Sequence, residues 1–274
     1  MPSLIGVSIF VLIPFADVIH RSFLTPIGGG FVGIENYRAV WHNEAFWLAL
    51  FNTIKFLLVC IPLLVSLSLL AALLNEAVGR WKEVFETALL LPLAIPVASI
   101  VVLWKVIFHS KGLLNQVLAA VGLSLAGRDW MNGKTAFGVM VFSYLWKNVG
   151  YDMVLWLAGL AAIPSSLYEA AKVDGAGRFQ RFWYITAPQL RPIAGMIFLL
   201  SIINSFKVFR EAYLVAGGYP DQSIYLLQHL FNNWFMRLDI QMMSSGAVSL
   251  AALVVIPALT VLIIGRRRNK NGEG

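Results

Sequence analysis

The feature that most limits how this chain can fold is a stretch of nineteen consecutive residues, Phe56 to Leu74, without a formal charge. An α-helix rises 1.5 Å per residue, so roughly 20 apolar residues span the hydrocarbon core of a bilayer. The chain is 59% hydrophobic and 13% charged, whereas soluble domains average about 25% charged residues. This composition argues strongly against a water-soluble enzyme and predicts an integral membrane protein.

Apolar stretches of similar length recur along the chain, and they predict an all-α membrane protein with six transmembrane helices in a single domain, 1–274. The first stretch has neither the basic flank nor the cleavage site of a signal peptide, so we interpret it as a retained span. The predicted spans cover residues 4–20, 54–75, 88–108, 136–163, 193–215 and 246–265.

The basic residues indicate how the chain is oriented. The formal net charge is +7, and Lys and Arg concentrate on the cytoplasmic side of membrane proteins. Two segments are rich in them, the C-terminal tail and the loop 164–192 between spans four and five: Arg266, Arg267, Arg268 and Lys270, and Lys172, Arg178, Arg181 and Arg191. We therefore expect both segments, and with six spans both termini, to be cytoplasmic.

The loop 164–192 contains signals for two short helices. Ser166 followed by Glu169 fits a capping box that opens a helix over residues 167–173, and Asp174-Gly175 would end it. A second helix is predicted from Arg178 to Pro188, with an apolar stripe that includes Phe179 and Trp183. Two interpretations stay open: the loop docks into a partner protein, or it is a compact hairpin in which Glu169 only caps its own helix.

The same loop resembles the EAA signature of binding-protein-dependent ABC importer permeases. The matching positions are Glu169-Ala170-Ala171, Asp174-Gly175-Ala176, Phe182, Ile185, Pro188 and Pro192. Residues 31–37, 52–53, 158–164, 205–209 and 217–218 are similar to the carbohydrate branch of that family, of the type found in maltose and glycerol-phosphate systems. The chain departs from the family pattern at Tyr219, where a third glycine usually precedes the proline.

This resemblance implies a type I ABC importer permease fold with a cytoplasmic coupling helix, in a bacterial or archaeal inner membrane. It implies four kinds of partner: a second permease subunit, two ATPase subunits, an extracytoplasmic solute-binding protein and a sugar-type substrate. The chain itself would be no enzyme and would bind no cofactor, because ATP-Mg would be held by the ATPase. The implied ATPase-coupling residues are Glu169, Ala170, Ala171, Asp174, Gly175 and Ala176.

Polar residues that interrupt spans four and five predict the substrate path. Lys147 and Asp152 in span four and Lys207 in span five fall at similar depths near mid-membrane. A charge there costs at least about 2.5 to 3.5 kcal/mol, so it should face a partner or a wet cavity. Amides and carboxylates suit sugar hydroxyls and aromatic rings suit sugar faces. The predicted path residues are Asn148, Tyr151, Asp152, Ser201, Asn204, Ser205 and Lys207, with Tyr144, Trp146 and Phe206 as further aromatics.

One alternative to the path is structural. Lys147, Asp152 and Lys207 would then form interhelical ion pairs that only hold the helices together. Arg210 and Glu211 are expected closer to the outer face, paired with each other or with neighbouring chain rather than with a ligand.

A second alternative concerns the class of transporter. An ion-coupled secondary transporter would use the intramembrane charges as a proton or sodium relay. It leaves the loop 164–192 unexplained, and the sequence has no matching pair of broken spans in two halves. An intramembrane enzyme is disfavoured because no nucleophile and base lie at one depth.

Overall fold

The computed structural model describes the backbone of residues 2–26, 29–123 and 127–271, and the side chains in these ranges except those of residues 2, 76, 77 and 256–271. Regular structure in the described residues is helical, apart from one isolated bridge between Leu24 and Phe31. The chain forms two compact units: one is Phe51–Tyr225, and the other combines Met1–Leu50 with Leu226–Gly274. The predicted all-α fold class is confirmed at this level.

The helices follow one another in this order. The first half of the chain contains α1 Ser3–Arg21, α2 Glu35–Trp41, α3 Glu44–Ala77, α4 Lys82–Ala94, α5 Val97–Phe108 and α6 Leu113–Ala120. The second half contains α7 Lys134–Ala161, α8 Ser165–Val173, α9 Arg178–Arg181, α10 Ala187–Ser205, α11 Val208–Ala216, α12 Leu227–Met236 and α13 Ile240–Asn271. A π-helical turn, Phe182–Thr186, joins α9 to α10 without a break.

Several of these helices are long and apolar enough to cross a membrane. Among the described residues, four pass by length and composition: Ser3–Arg21, Glu44–Asn75, Val97–Ala120 and Arg178–Ala216. A fifth arises if α7 and α8, which are bent by 66°, count as one span. The predicted sixth span, 246–265, lies in α13, where side chains are described only as far as residue 255. The count of six spans and the single domain therefore stay predictions.

The predicted third span, 88–108, is broken rather than merely bent. α4 ends at Ala94 and α5 begins at Val97, while Ile95 is extended with a ψ of 128°. Proline disfavours the α conformation at the preceding residue, here Ile95, and has no N–H to donate, so the helix ends before Pro96. Pro92, by contrast, lies inside α4.

Two details predicted for the loop are wrong. α8 begins at Ser165 with Pro164 as its N-cap, and no side-chain cap bond forms there. Because the helix starts two residues earlier than predicted, Ser166 is already inside it and the Ser166–Glu169 capping box does not form. The second helix does not end at Pro188, because the π-turn before it widens the hydrogen-bond register and accommodates a residue that cannot donate.

In the unit Phe51–Tyr225, α7 is the central helix of the core. It packs against α4 and α10, and the buried cluster includes Met153, Trp156 and Ile197. The closest approach is at Gly150, where an added Cβ would lie 2.0 Å from the carbonyl oxygen of Leu89. The helices can be this close only because position 150 has no side chain.

The other unit packs α13 against α1 and α2. Ser245 Oγ donates to the carbonyl oxygen of Ser22 at 3.2 Å, and Trp41 Nε1 donates to Ser249 Oγ at 3.3 Å. These hydrogen bonds satisfy polar groups along the described part of an otherwise apolar helix, as the interior of a membrane helix bundle requires.

Candidate functional site

A cavity of about 460 Å³ lies beside the middle of α7. We name it the path cavity. It holds four of the seven predicted path residues, Asn148, Tyr151, Asn204 and Lys207. The remaining lining is Leu93, Tyr144, Lys147, Leu200, Ile203, Val208 and Glu211. The path cavity thus combines amide, hydroxyl and charged groups with an apolar wall.

The path cavity adjoins the break between α10 and α11. α10 ends at Ser205, two residues form a turn, and α11 begins at Val208. Lys207 Nζ donates to Asn204 Oδ1 at 2.7 Å, and the backbone N–H of Lys207 donates to the carbonyl oxygen of Asn204 at 2.9 Å. Irregular backbone at membrane depth is tolerated where it lines a cavity, so the break and the path cavity are consistent with each other.

An ion pair joins α7 to α11 at the path cavity. Lys147 Nζ lies 2.5 Å from Glu211 Oε1, and their side chains are only 16% and 9% exposed. Of the two partners expected for Glu211, the structure shows neighbouring chain, Lys147 of α7, and not Arg210. After the turn at residues 206 and 207, α11 starts afresh, and its first turn brings Glu211 to α7. Lys147 thus makes an interhelical ion pair, as the structural alternative expected, and it also lines the path cavity.

The other three predicted path residues are buried outside the cavity lining, and two of them, Asp152 and Ser201, join α7 to α10. Ser201 Oγ donates to Asp152 Oδ2 at 2.9 Å, and Asp152 is only 1% exposed. Tyr144 OH donates to the carbonyl oxygen of Ser201 at 2.8 Å. Ser205 is buried and donates to the carbonyl oxygen of Ile202 at 2.6 Å. The structure therefore divides the predicted set into two groups, one beside a cavity and one between helices.

The four predicted aromatics divide in the same way. Tyr144 and Tyr151 line the path cavity. Trp146 instead packs edge-on against Trp104, with ring centroids 5.2 Å apart, and Phe206 is 42% exposed. Glu211 and the apolar wall were missed, because no sequence signal tells which face each of these helices turns to the cavity.

The predicted coupling residues form one exposed corner. Glu169, Ala170, Asp174 and Gly175 are exposed, and Ala171 and Ala176 are half-buried. Gly175 has a φ of +80° directly after the C-cap Asp174, and Ala176 N–H donates to the carbonyl oxygen of Ala171 at 2.8 Å. This left-handed residue after a helix is the arrangement that favours glycine, so the predicted helix end at Asp174-Gly175 is confirmed.

Large apolar side chains surround this corner. Val173 is 88% exposed, Phe179 76% and Trp183 54%. Exposed apolar groups in this number mark a contact with another protein or with lipid. The corner therefore presents a carboxylate, a bare backbone turn and an apolar rim together.

Metal-ligating side chains are not clustered in the described part of the chain, where no group of three or more His, Cys, Asp or Glu is suitably placed. Burial lowers the pKa of His229, in α12, to about 4, so its imidazole is neutral at pH 7.

Comparison with known proteins places this geometry in context. A family profile described as "Binding-protein-dependent transport system inner membrane component" matches residues 64–269. A trehalose/maltose transport system permease protein of Thermococcus litoralis is 32% identical, with 98% of this chain and 92% of the relative covered. An sn-glycerol-3-phosphate transport system permease protein of Salmonella typhimurium is 33% identical, with 95% and 90% covered.

A solved structure supports the same fold. The chain superimposes with a TM-score of 0.82 on a bacterial ABC transporter chain involved in the import of the acidic polysaccharide alginate. The two are 21% identical, and the match covers 97% of this chain and 93% of the other. At this identity the likeness establishes the fold alone.

Proposed function

Because the chain belongs to the family of binding-protein-dependent transport system inner membrane components, we propose that it forms the translocation path of an ATP-driven importer for a sugar, an oligosaccharide or a sugar derivative. The observation that carries this proposal is the path cavity, where Asn148, Tyr151, Asn204 and Lys207 meet beside the break between two helices. The named substrates of its relatives, trehalose, maltose, lactose and glycerol phosphate, support the substrate class.

The chemistry of the path cavity suits a sugar. Two amides offer donors and acceptors for vicinal hydroxyls, and Tyr151 offers a ring face with a polar tip. Since Glu211 neutralises Lys147, the wall carries fewer free charges than the sequence suggests. This pairing also weakens the ion-relay alternative, which needs intramembrane groups that are free to titrate.

We assign coupling to the corner after α8. Glu169 would meet a basic group of the ATPase, and Gly175 would let another backbone approach the turn. Two observations on Gly175 support this role. Its φ is positive, and the space around it is open, because an added Cβ would meet nothing within 4 Å inside this chain. The rim of Val173, Phe179 and Trp183 would provide the apolar contact area.

The full assembly follows from these assignments. It comprises this permease, a second and related permease, two ATPase subunits with ATP-Mg and an extracytoplasmic binding protein, in an inner membrane. The similar alginate transporter was solved in complex with an alginate-bound periplasmic protein, which supports a binding-protein partner. In this proposal the chain has six spans, and its termini and the corner at α8 are cytoplasmic. Closure of the ATPases would switch the path cavity between an inward-facing and an outward-facing opening.

Reconstitution tests the function. Proteoliposomes that contain this chain with its partner subunits should take up a sugar only when ATP is inside and the binding protein is outside. A panel of trehalose, maltose, lactose and sn-glycerol 3-phosphate, the compounds named for its relatives, covers the substrate class. Uptake driven by an ion gradient without ATP would overturn the proposal in favour of a secondary transporter.

Substitution of Gly175 tests the coupling role. We expect Gly175→Leu to insert normally and to abolish uptake, because its side chain would fill the surface that the ATPase approaches. Gly175→Asn is the control for backbone strain, since Asn tolerates positive φ better than other non-glycine residues, and Gly177→Ala is the neighbouring control with a φ of −67°. Normal uptake and ATPase co-purification by Gly175→Leu would contradict the assignment.

A further inference from the structure

A second cavity, of about 650 Å³, lies where α7, α8 and the start of the α9–α10 segment meet. It is separate from the path cavity and shares no lining residue with it. Its wall has an apolar part, Leu73, Leu160, Ala161, Ile163 and Phe182, and a polar part, Ser165, Tyr168, Lys172, Arg178, Arg181 and Thr186. We name it the basic cavity.

Charge in the basic cavity is of one sign. Lys172 from α8 and Arg178 and Arg181 from α9 are cationic, and among the described side chains no carboxylate lines the cavity. The nearest acidic groups in sequence, Glu169 and Asp174, are exposed and lie outside the lining. Three cations that share one concave surface repel each other, so the arrangement is stabilised by an anion.

One of these cations lacks a hydrogen-bond partner. Arg181 Nε is fully buried and makes no hydrogen bond in the structure. Tyr168 OH and Thr186 Oγ1, by contrast, bond to each other at 2.9 Å. A buried donor without an acceptor is costly, and the rigid fork of a guanidinium matches the oxygens of a phosphate in a bidentate geometry. The basic cavity is therefore equipped for an anionic oxygen group.

The surroundings of the basic cavity indicate where that group comes from. Leu160 at the end of α7, Ile163 just after it and Leu73 on α3 form a wall against which a hydrocarbon chain can lie. Tyr184, two residues beyond the lining residue Phe182, is 81% exposed, and Tyr favours the boundary between membrane and water. Cationic side chains, an apolar wall and an exposed aromatic residue nearby are the kinds of contact that a phospholipid makes with a protein.

We propose that the basic cavity binds the phosphate group of an anionic phospholipid of the cytoplasmic leaflet, held by Arg178, Arg181 and Lys172, with an acyl chain along the apolar wall. This inference rests on the proposed function only for the orientation of the loop. Basic pockets between membrane helices on this side recognise such headgroups. Because α8 carries the coupling corner, the bound lipid would steady the junction between α7 and α8, which bends by 66°.

Native mass spectrometry of the full chain, purified in detergent and titrated with phosphatidylglycerol or phosphatidylcholine, tests the proposal. We expect preferential retention of phosphatidylglycerol. Arg181→Gln should weaken that retention about fivefold and Arg178→Gln/Arg181→Gln about 25-fold, because each surface cation contributes a factor of about five. If the Arg181 variants do not fold, Arg178→Gln alone tests the same prediction, because Arg178 is exposed and its replacement does not disturb the core.

Two controls separate the basic cavity from general surface charge and from arginine geometry. Arg191→Gln removes a cation from the same loop outside the cavity lining, and its retention of phosphatidylglycerol should equal that of the wild type. Arg181→Lys keeps the charge without the fork, and its retention should lie between those of the wild type and Arg181→Gln.

Several results would overturn the proposal. Equal retention of the two lipids, or an equal loss in Arg191→Gln and Arg181→Gln, would exclude a specific lipid site. Displacement of the lipid by 20 mM inorganic phosphate would assign the site to a free anion. Unchanged lipid retention by Arg181→Gln with loss of ATPase co-purification would assign Arg181 to the protein partner. The titration needs neither sugar nor ATP, so failure of the transport proposal would leave its outcome intact.

Discussion

Polar residues at the C-terminal end of α10 and in the turn after it lie in two different environments. Ser201 and Ser205, four residues apart, are buried, and each hydroxyl has a protein acceptor within 3 Å. Asn204 and Lys207 lie on the path cavity. Residues four apart share a helix face, so a rotation about the helix axis separates polar groups that stabilise the bundle from polar groups that can meet a solute. Their position along the chain alone does not distinguish them.

The largest effect is expected at the buried ion pair of Lys147 and Glu211, which both joins two helices and lines the path cavity. Lys147→Met leaves Glu211 buried without its partner and should cost about 3 to 5 kcal/mol of stability, measured as a fall in the thermal unfolding midpoint. Lys147→Met/Glu211→Met should recover most of it. The exposed pair Arg21–Asp17 is the matched control, and Arg21→Met should cost at most about 1 kcal/mol. Equal losses at both pairs would show that the pair at the path cavity is solvated.

The next largest effect is expected at the contact that supports the wall of the path cavity. Gly150→Ala places a methyl group 2.0 Å from the carbonyl oxygen of Leu89, so α4 must move, at a cost of about 2 to 3 kcal/mol. Gly138→Ala, in the same helix with nothing within 4 Å, is the control. It should be neutral or stabilising by up to about 1 kcal/mol. Similar unfolding midpoints for the two variants would contradict the close approach.

A neighbouring pair on α10 tests the two faces directly. Asn204→Ala should raise the KM of sugar uptake about tenfold, the loss of about 1.4 kcal/mol of hydrogen bonding to the solute, with little change in unfolding midpoint. Ser205→Ala should lower stability by about 1 kcal/mol and leave the KM unchanged. A raised KM in Ser205→Ala alone would reverse the assignment of the faces.

The smallest effect is expected at Asp152, in the contact between α7 and α10. Asp152→Asn retains an acceptor for Ser201 Oγ and nearly the same volume, so stability should change by no more than about 1 kcal/mol. The relative uptake rates across the sugar panel should stay as in the wild type. An altered substrate preference would move Asp152 from the packing face to the path.

The sequence was sufficient for properties that follow from local composition. Long uncharged stretches predicted helices, and Asp174-Gly175 predicted the end of α8, because glycine tolerates the positive φ found there. Spacing along spans four and five also predicted that their polar residues would gather near one depth, and four of them do line one cavity.

What the sequence could not supply is the direction in which helices resume after a break. Glu211 lies in the first turn of α11, after the turn at residues 206 and 207, and there it reaches Lys147 of α7. The π-turn before Pro188 likewise lets one helix continue where a proline predicted its end. Both outcomes depend on tertiary packing, which overrides local signals, and the division of path residues between two faces depends on it as well.

Thiol labelling tests the central claim most directly, because the single native cysteine, Cys60, is fully buried. In the assembled transporter, Asn204→Cys should react with a small, membrane-impermeant thiosulfonate, and the transported sugar should slow that reaction. Ser205→Cys, one residue away, should react far more slowly and show no dependence on sugar. Equal labelling at the two positions, or labelling at position 204 that the transported sugar does not slow, would contradict the assignment of the path cavity as the sugar path.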